Sequence, residues 1–233
     1  MHKRWLIGIA SLSWLIAQPL LAHSIWLQSD GGELAIMYGH KAETEAYEPT
    51  KVETVQAYDL QGNPIEVQLD REAERVAVMP NPEAALITVT FDNGFWVETN
   101  GEWQNVSKRE VSEYTASSHP LKYTKALYRW SPAMAEPVGL PLEIVPMSNP
   151  FELQLGDDLQ VQVLYDGQPA ADVDVVYAFA EESPVKTDAN GMVTLTLSEP
   201  GLQHIEASVR LPVENNPDTD QIYHSTTLTF ELP

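Results

Sequence analysis

His23 and His40 stand where they could hold one metal ion between them. His23 follows a segment laid out like a secretory leader, so cleavage after Ala22 would make it residue one, with a free α-amino group beside its imidazole. The stretch between the two histidines reads as a β-hairpin with Gly31-Gly32 at its tip. With those glycines central, Ser29 meets Leu34, Leu27 meets Ile36, Ile25 meets Tyr38 and His23 meets His40. All lie on one face, because strand side chains alternate with a period of two. Opposed residues hold their Cβ atoms roughly 4.5–5.5 Å apart, near enough for two imidazoles to share an ion bound at about 2.0–2.1 Å from nitrogen. A turn centred on Asp30-Gly31 would instead set His23 against Tyr38 and dissolve the pair.

Such a site is rich in nitrogen, with His23, its α-amine and His40 as donors, and it suits Ni or Co, with Cu and Zn also fitting. A site of carboxylates alone would favour Mg or Ca. The third ligand expected is His119, which precedes Pro120 in a polar run and is read as part of a loop closing over the hairpin end. His204 and His224 fall within strand-like segments and read as structural. Glu43, Glu45 and Glu48 follow His40, but in so acidic a chain they read as a solvated loop. The competing account makes His23 a frayed terminus and His40 a strand-end residue satisfied by a carbonyl.

The leader comprises basic His2-Lys3-Arg4, an apolar stretch from Trp5 to Ala17 too short to span a bilayer comfortably, and an end at Ala22. It points to the bacterial periplasm, with no direct membrane insertion after cleavage. The 34 acidic and 13 basic residues give a formal charge of −21, and loss of Lys3 and Arg4 leaves 11 basic residues and −23. That field repels nucleic acid and concentrates cations. The chain has no cysteine, hence no disulfide and no lipidated cysteine.

Short runs rich in Val, Ile, Thr, Tyr and Phe, split by turn signals, predict an all-β protein of two β-sandwich domains. Strands are expected over 24–28, 33–38, 50–59, 65–69, 75–78, 85–92, 95–99 and 121–130, with a short helix near 108–114. Gln61-Gly62-Asn63-Pro64 and Asp92-Asn93-Gly94 read as hairpin tips. Five prolines between 132 and 150 argue against a regular ladder there and place a boundary near 145, giving domains 23–145 and 146–233. Seven further strands, over 151–155, 159–165, 172–178, 184–187, 192–197, 202–210 and 222–232, suggest that the second domain is immunoglobulin-like.

The chain has no Gly-x-Ser-x-Gly, His-Glu-x-x-His, phosphate loop or cysteine nucleophile, and no pair of carboxylates is singled out. A binding protein is therefore expected rather than an enzyme. The alternative from another class is a β-sandwich interaction or adhesion module without metal.

His23-Ser24-Ile25-Trp26-Leu27, Tyr38-Gly39-His40, Lys122-Tyr123-Thr124-Lys125-Ala126-Leu127 and Thr187-Asp188-Ala189-Asn190-Gly191, in this order behind a leader, resemble the periplasmic domain of unknown function 4198 family. Its members are often described as the periplasmic component of cobalt or nickel transport systems. The resemblance implies a periplasmic protein handling a transition-metal ion or complex, with a membrane transporter component as partner. Family members commonly carry an acidic residue where Ser24 stands, so this chain departs from the pattern there.

Overall fold

The computed structural model describes residues 23–232 apart from 31–32, 42, 72–73, 80 and 181–182. The leader, its cleavage point and the Gly31-Gly32 tip lie outside the described residues. Period-two patterning builds nearly everything else. In β13 (Asp158–Tyr165), Leu159, Val161 and Val163 point inward while Asp158 and Gln160 face solvent, and β17 (Met192–Thr196) alternates likewise. The chain is an all-β sandwich protein, with short 3-10 turns in place of longer helices among the described residues.

A hairpin of β1 (Ser24–Asp30) and β2 (Glu33–His40) extends through β7 (Ala77–Met79) to β6 (Gln68–Asp70), with β3 (Glu43–Thr44) folded onto β2. The main sheet runs β16 (Val185–Lys186), β15 (Asp174–Tyr177), β18 (Leu202–Pro212), β19 (Gln221–Glu231), β11 (Ala116–Leu127), β8 (Leu86–Asp92), β4 (Val52–Tyr58) and β5 (Pro64–Ile65). β9 (Trp96–Thr99) pairs with β11 and carries β10 (Glu102–Gln104). A third sheet joins β12 (Leu142–Pro146), β13, β14 (Gln168–Pro169) and β17.

The main sheet lies between the other two. On one face Ile87, Val89, Phe91 and Ala126 pack with Ile25, Ile36 and Tyr38 of the hairpin sheet. On the other, Leu86, Tyr123, Leu127, Leu228 and Phe230 pack with Ile144, Val161 and Val193 of the third. β11 is therefore buried on both sides, and each residue from Lys122 to Leu127 has a defined task. Lys122 Nζ donates to the carbonyl oxygen of His23. Tyr123 Oη meets His224 Nδ1 at 3.0 Å. Thr227 Oγ1 donates to the Ile25 carbonyl at 2.8 Å and pairs with Thr124 Oγ1 at 2.7 Å. Lys125 Nζ donates to Glu143 Oε1 at 2.6 Å, and Ala126 and Leu127 enter opposite cores.

Several local expectations are corrected. Asp92-Asn93-Gly94 is a corner, since β8 and β9 each pair antiparallel with β11 in succession along it. The proline-rich segment does contain a ladder, β12, because Pro141 and Pro146 flank its donors rather than interrupt them. Amides of Val138, Gly139 and Leu140 converge on the Glu143 carboxylate at 2.8, 3.0 and 3.2 Å, which organises the turns between prolines around one buried ion pair. The expected strand over 151–155 is a 3-10 turn at Pro150–Glu152, capped by Asn149. The boundary expected at 145 falls inside β12, and β19 pairs in parallel with β11 from His119↔Ile222 to Ala126↔Thr229, so both halves share one sheet.

The tie between Lys125 and Glu143 is 0% and 1% exposed. Replacing Lys125 by Met leaves a buried carboxylate without its cation, and the expected loss is about 3–5 kcal/mol by urea unfolding. Acid should act on His204, whose pKa burial pushes down to about 3. Its unfolded form, near 6.5, binds the proton first, so the contribution is whole above about 6.5 and drains away as pH falls toward 3. His204→Phe should flatten unfolding stability against pH over that window.

Candidate metal site at the hairpin end

The hairpin adopts the register in which Ser29 pairs with Leu34, Leu27 with Ile36 and Ile25 with Tyr38, and its ladder closes at Ser24↔Gly39. One step beyond, the His23 and His40 rings stand edge to face with centroids 4.7 Å apart. The sequence thus brings these two imidazoles together through the strand register alone.

His23 is 7% exposed and tightly oriented. Nδ1 lies 3.2 Å from Tyr38 Oη, and Nε2 lies 3.3 Å from Glu45 Oε1. Asn93 Nδ2 donates to Tyr38 Oη at 3.1 Å, which leaves the phenol proton for His23 Nδ1 and assigns the neutral ring's proton to Nε2. Tyr38 is fixed in turn by stacking on Phe91, with centroids 5.5 Å apart, and burial raises its pKa to about 12. Burial lowers the pKa of His23; Glu45 works against that shift, while His40 and Lys122 reinforce it. The imidazole is therefore neutral at pH 7, the state in which it can ligate a metal.

This orientation bears on the α-amine. A chelate between an N-terminal amine and its own imidazole closes through Nδ1, and here Nδ1 faces Tyr38. The nitrogen directed at Glu45 is Nε2. An ion there would move the ring proton to Nδ1, where Tyr38 Oη is placed to accept it, the usual support given to a ligating histidine.

Glu45 is the residue that sequence reasoning passed over. Gly39, at φ 134°, turns β2 so that His40 pairs with Glu43 and Gly39 with Thr44, and Glu45 N then donates to Tyr38 O at 2.9 Å. The chain so returned sets the carboxylate against His23. The available signal was the short return after Gly39-His40 with acids at alternate positions, obscured by the abundance of acids elsewhere.

His119 does not lie on a loop; it belongs to β11. Along that strand Lys122, Thr124 and Ala126 point to the hairpin, which assigns His119, with Leu121, Tyr123 and Lys125, to the opposite face. Its Nε2 lies 2.7 Å from Asp92 Oδ1, and its ring lies on Phe95 with centroids 4.3 Å apart. Burial works to raise the Asp92 pKa, but hydrogen bonds from His119 and the Gly94 amide outweigh it and the net shift is down. The donors at the hairpin end are thus His23, His40 and Glu45. Among the described residues, no group of three His, Cys, Asp or Glu side chains is placed to hold a metal ion as the structure stands. Two imidazoles and a carboxylate fit a divalent transition metal in kind, and Glu45, 52% exposed at its side chain, is the donor free to close.

The family described as Domain of unknown function (DUF4198) matches residues 20–211. The chain belongs to this family. An uncharacterized protein of Haemophilus influenzae is 28% identical over 233 residues, covering 98% of each chain. No solved structure matches. In this DUF4198 protein, the segments Tyr38-Gly39-His40 and Lys122 to Leu127 meet at His23, whose ring is oriented by the first and whose carbonyl is held by the second.

A Cβ on Gly39 would come within 2.4 Å of the Glu43 carbonyl oxygen, a backbone atom, at a φ that side chains rarely adopt. Gly39→Ala should therefore cost roughly 1–3 kcal/mol in chemical unfolding.

Proposed function

We propose that this DUF4198 protein is a periplasmic carrier whose cargo is a divalent transition-metal ion, nickel or cobalt foremost, taken up at His23, His40 and Glu45 and passed to a membrane transporter component. The observation that carries this reading is the pair of facing imidazoles, 4.7 Å apart between centroids, with a carboxylate 3.3 Å from the inner ring. Three supports favour cargo over a resident structural ion. The hairpin is held by its own ladder and packs into two apolar cores, contacts that need no ion to close them. Glu45 is largely exposed and leaves an open side for entry and release. The chain's formal charge of −21 draws cations toward it. The leader-like composition of residues 1–22 and the resemblance to the periplasmic component of cobalt and nickel transport systems support the compartment and the partner in this reading.

Calorimetric titration of Ni²⁺ and Co²⁺ into protein beginning at His23 should give one ion per chain. His40→Ala and Glu45→Ala should each weaken binding beyond the ~10–100-fold typical of losing an outer-shell partner, and Tyr38→Phe should fall within that range. An extra residue before His23 should leave the affinity unchanged, since Nδ1, through which the α-amine chelate would close, faces Tyr38 Oη. Affinity indifferent to His40→Ala would refute the reading.

A further inference from the structure

The hairpin has a second face. Trp26 and Met37 are directly paired across β1 and β2 on the side away from His23, and they are 1% and 7% exposed. They form a small separate core with Ala35, against which Phe179 and Leu202 pack. His204 of β18 joins it, perpendicular to Trp26 with centroids 5.9 Å apart and stacked on Phe179 at 3.7 Å.

His204 is 1% exposed, and neither Nδ1 nor Nε2 has a hydrogen-bond partner on another residue. The contrast with other buried histidines is sharp: His23 is held by Tyr38 and Glu45, and His224 by Tyr123. An unsatisfied buried polar group is costly and calls for a physical reason, an ion that it receives being one. The segment over the ring is also strained. Ala178 and Phe179 both adopt left-handed backbone, at φ 55° and 62°, a conformation costly for bulky residues and common at ligand clamps.

We propose that Trp26, Met37 and His204 form a second metal site, selective for a soft monovalent d¹⁰ ion such as Cu(I). The donors are an imidazole nitrogen and a thioether sulfur, both neutral and polarizable, beside an indole whose π face attracts a cation. Neutral donors in an apolar cluster cannot offset the desolvation of a divalent ion as carboxylates do, so low charge is favoured. Burial keeps His204 deprotonated down to about pH 3, with its lone pair available. Entry requires Phe179 to leave the ring it covers, and the left-handed backbone of Ala178-Phe179 favours that release. The site does not depend on the carrier reading, because it shares no side chain with the hairpin end.

The test is calorimetric titration of Ag(I), a redox-inert stand-in, in chloride-free buffer into protein beginning at His23, alongside His40→Ala, Met37→Leu and His204→Phe. The expected result is one Ag(I) per chain in the wild type and in His40→Ala, with affinity at least 100-fold lower in Met37→Leu and His204→Phe. Met37→Leu nearly conserves volume and keeps the fold, so it decides the matter even where His204→Phe perturbs packing. Imidazole ¹⁵N shifts should move for His204 on adding Ag(I) to the wild type. No Ag(I) binding, affinity unchanged in Met37→Leu, or binding lost in His40→Ala but kept in Met37→Leu would each overturn the proposal.

Discussion

The hydrogen bond from Lys122 to the main-chain carbonyl of His23 is the contact on which the arrangement turns. β1 is the outer strand of its sheet, and an outer strand exposes a row of carbonyls that must find donors when buried. Here the row is turned against the main sheet and satisfied from below, with Lys122 reaching His23 and Thr227 reaching Ile25. A fully buried ammonium is costly, and burial lowers the Lys122 pKa to about 8 against the opposing pull of Glu206. Its return is positional: the backbone of His23 is fixed from one side while Tyr38 and Glu45 fix the ring from the other.

Lys125, three residues on and facing the opposite way, does for the third sheet what Lys122 does for the hairpin. Its partner Glu143 gathers three amides that the surrounding prolines leave without strand partners. One doubly buried strand thus anchors both outer layers through charged side chains, while apolar packing supplies most of the adhesion. A charge buried in this way destabilises any docking that leaves it unpaired, so the two lysines select one placement of each layer.

The hairpin was legible because everything that fixes it is local. A period of two and a glycine pair set the register, and the register sets His23 against His40. The segment from Lys122 to Leu127 was legible only as a string of letters, since its partners at His23, Glu143, His224 and Thr227 lie far along the chain. The parallel pairing of β11 with β19 was hidden for the same reason, and with it the continuity of the main sheet across the expected boundary. His119 misled because a histidine before a proline in a polar run carries the composition of a loop; the strand persists since Pro120 carries no amide and its carbonyl still accepts from Asn93. Glu45 was obscured by the number of acids around it.

Because strand side chains alternate, the two strands of this hairpin carry two different chemistries. The face with His23, Tyr38 and His40 ends in nitrogen and oxygen donors beside an exposed carboxylate, the environment proposed above for a borderline divalent ion. The face with Trp26 and Met37 meets a buried imidazole in an apolar cluster, the environment proposed for a soft ion of low charge. A ligand on either face would act on the same backbone. An ion that moves Glu45 pulls on the turn at Gly39, and one that displaces Phe179 loosens the packing behind Trp26. Coupling between the faces is then limited by the β1 and β2 ladder and by the Lys122 bond, the elements through which a shift on one side must pass to reach the other.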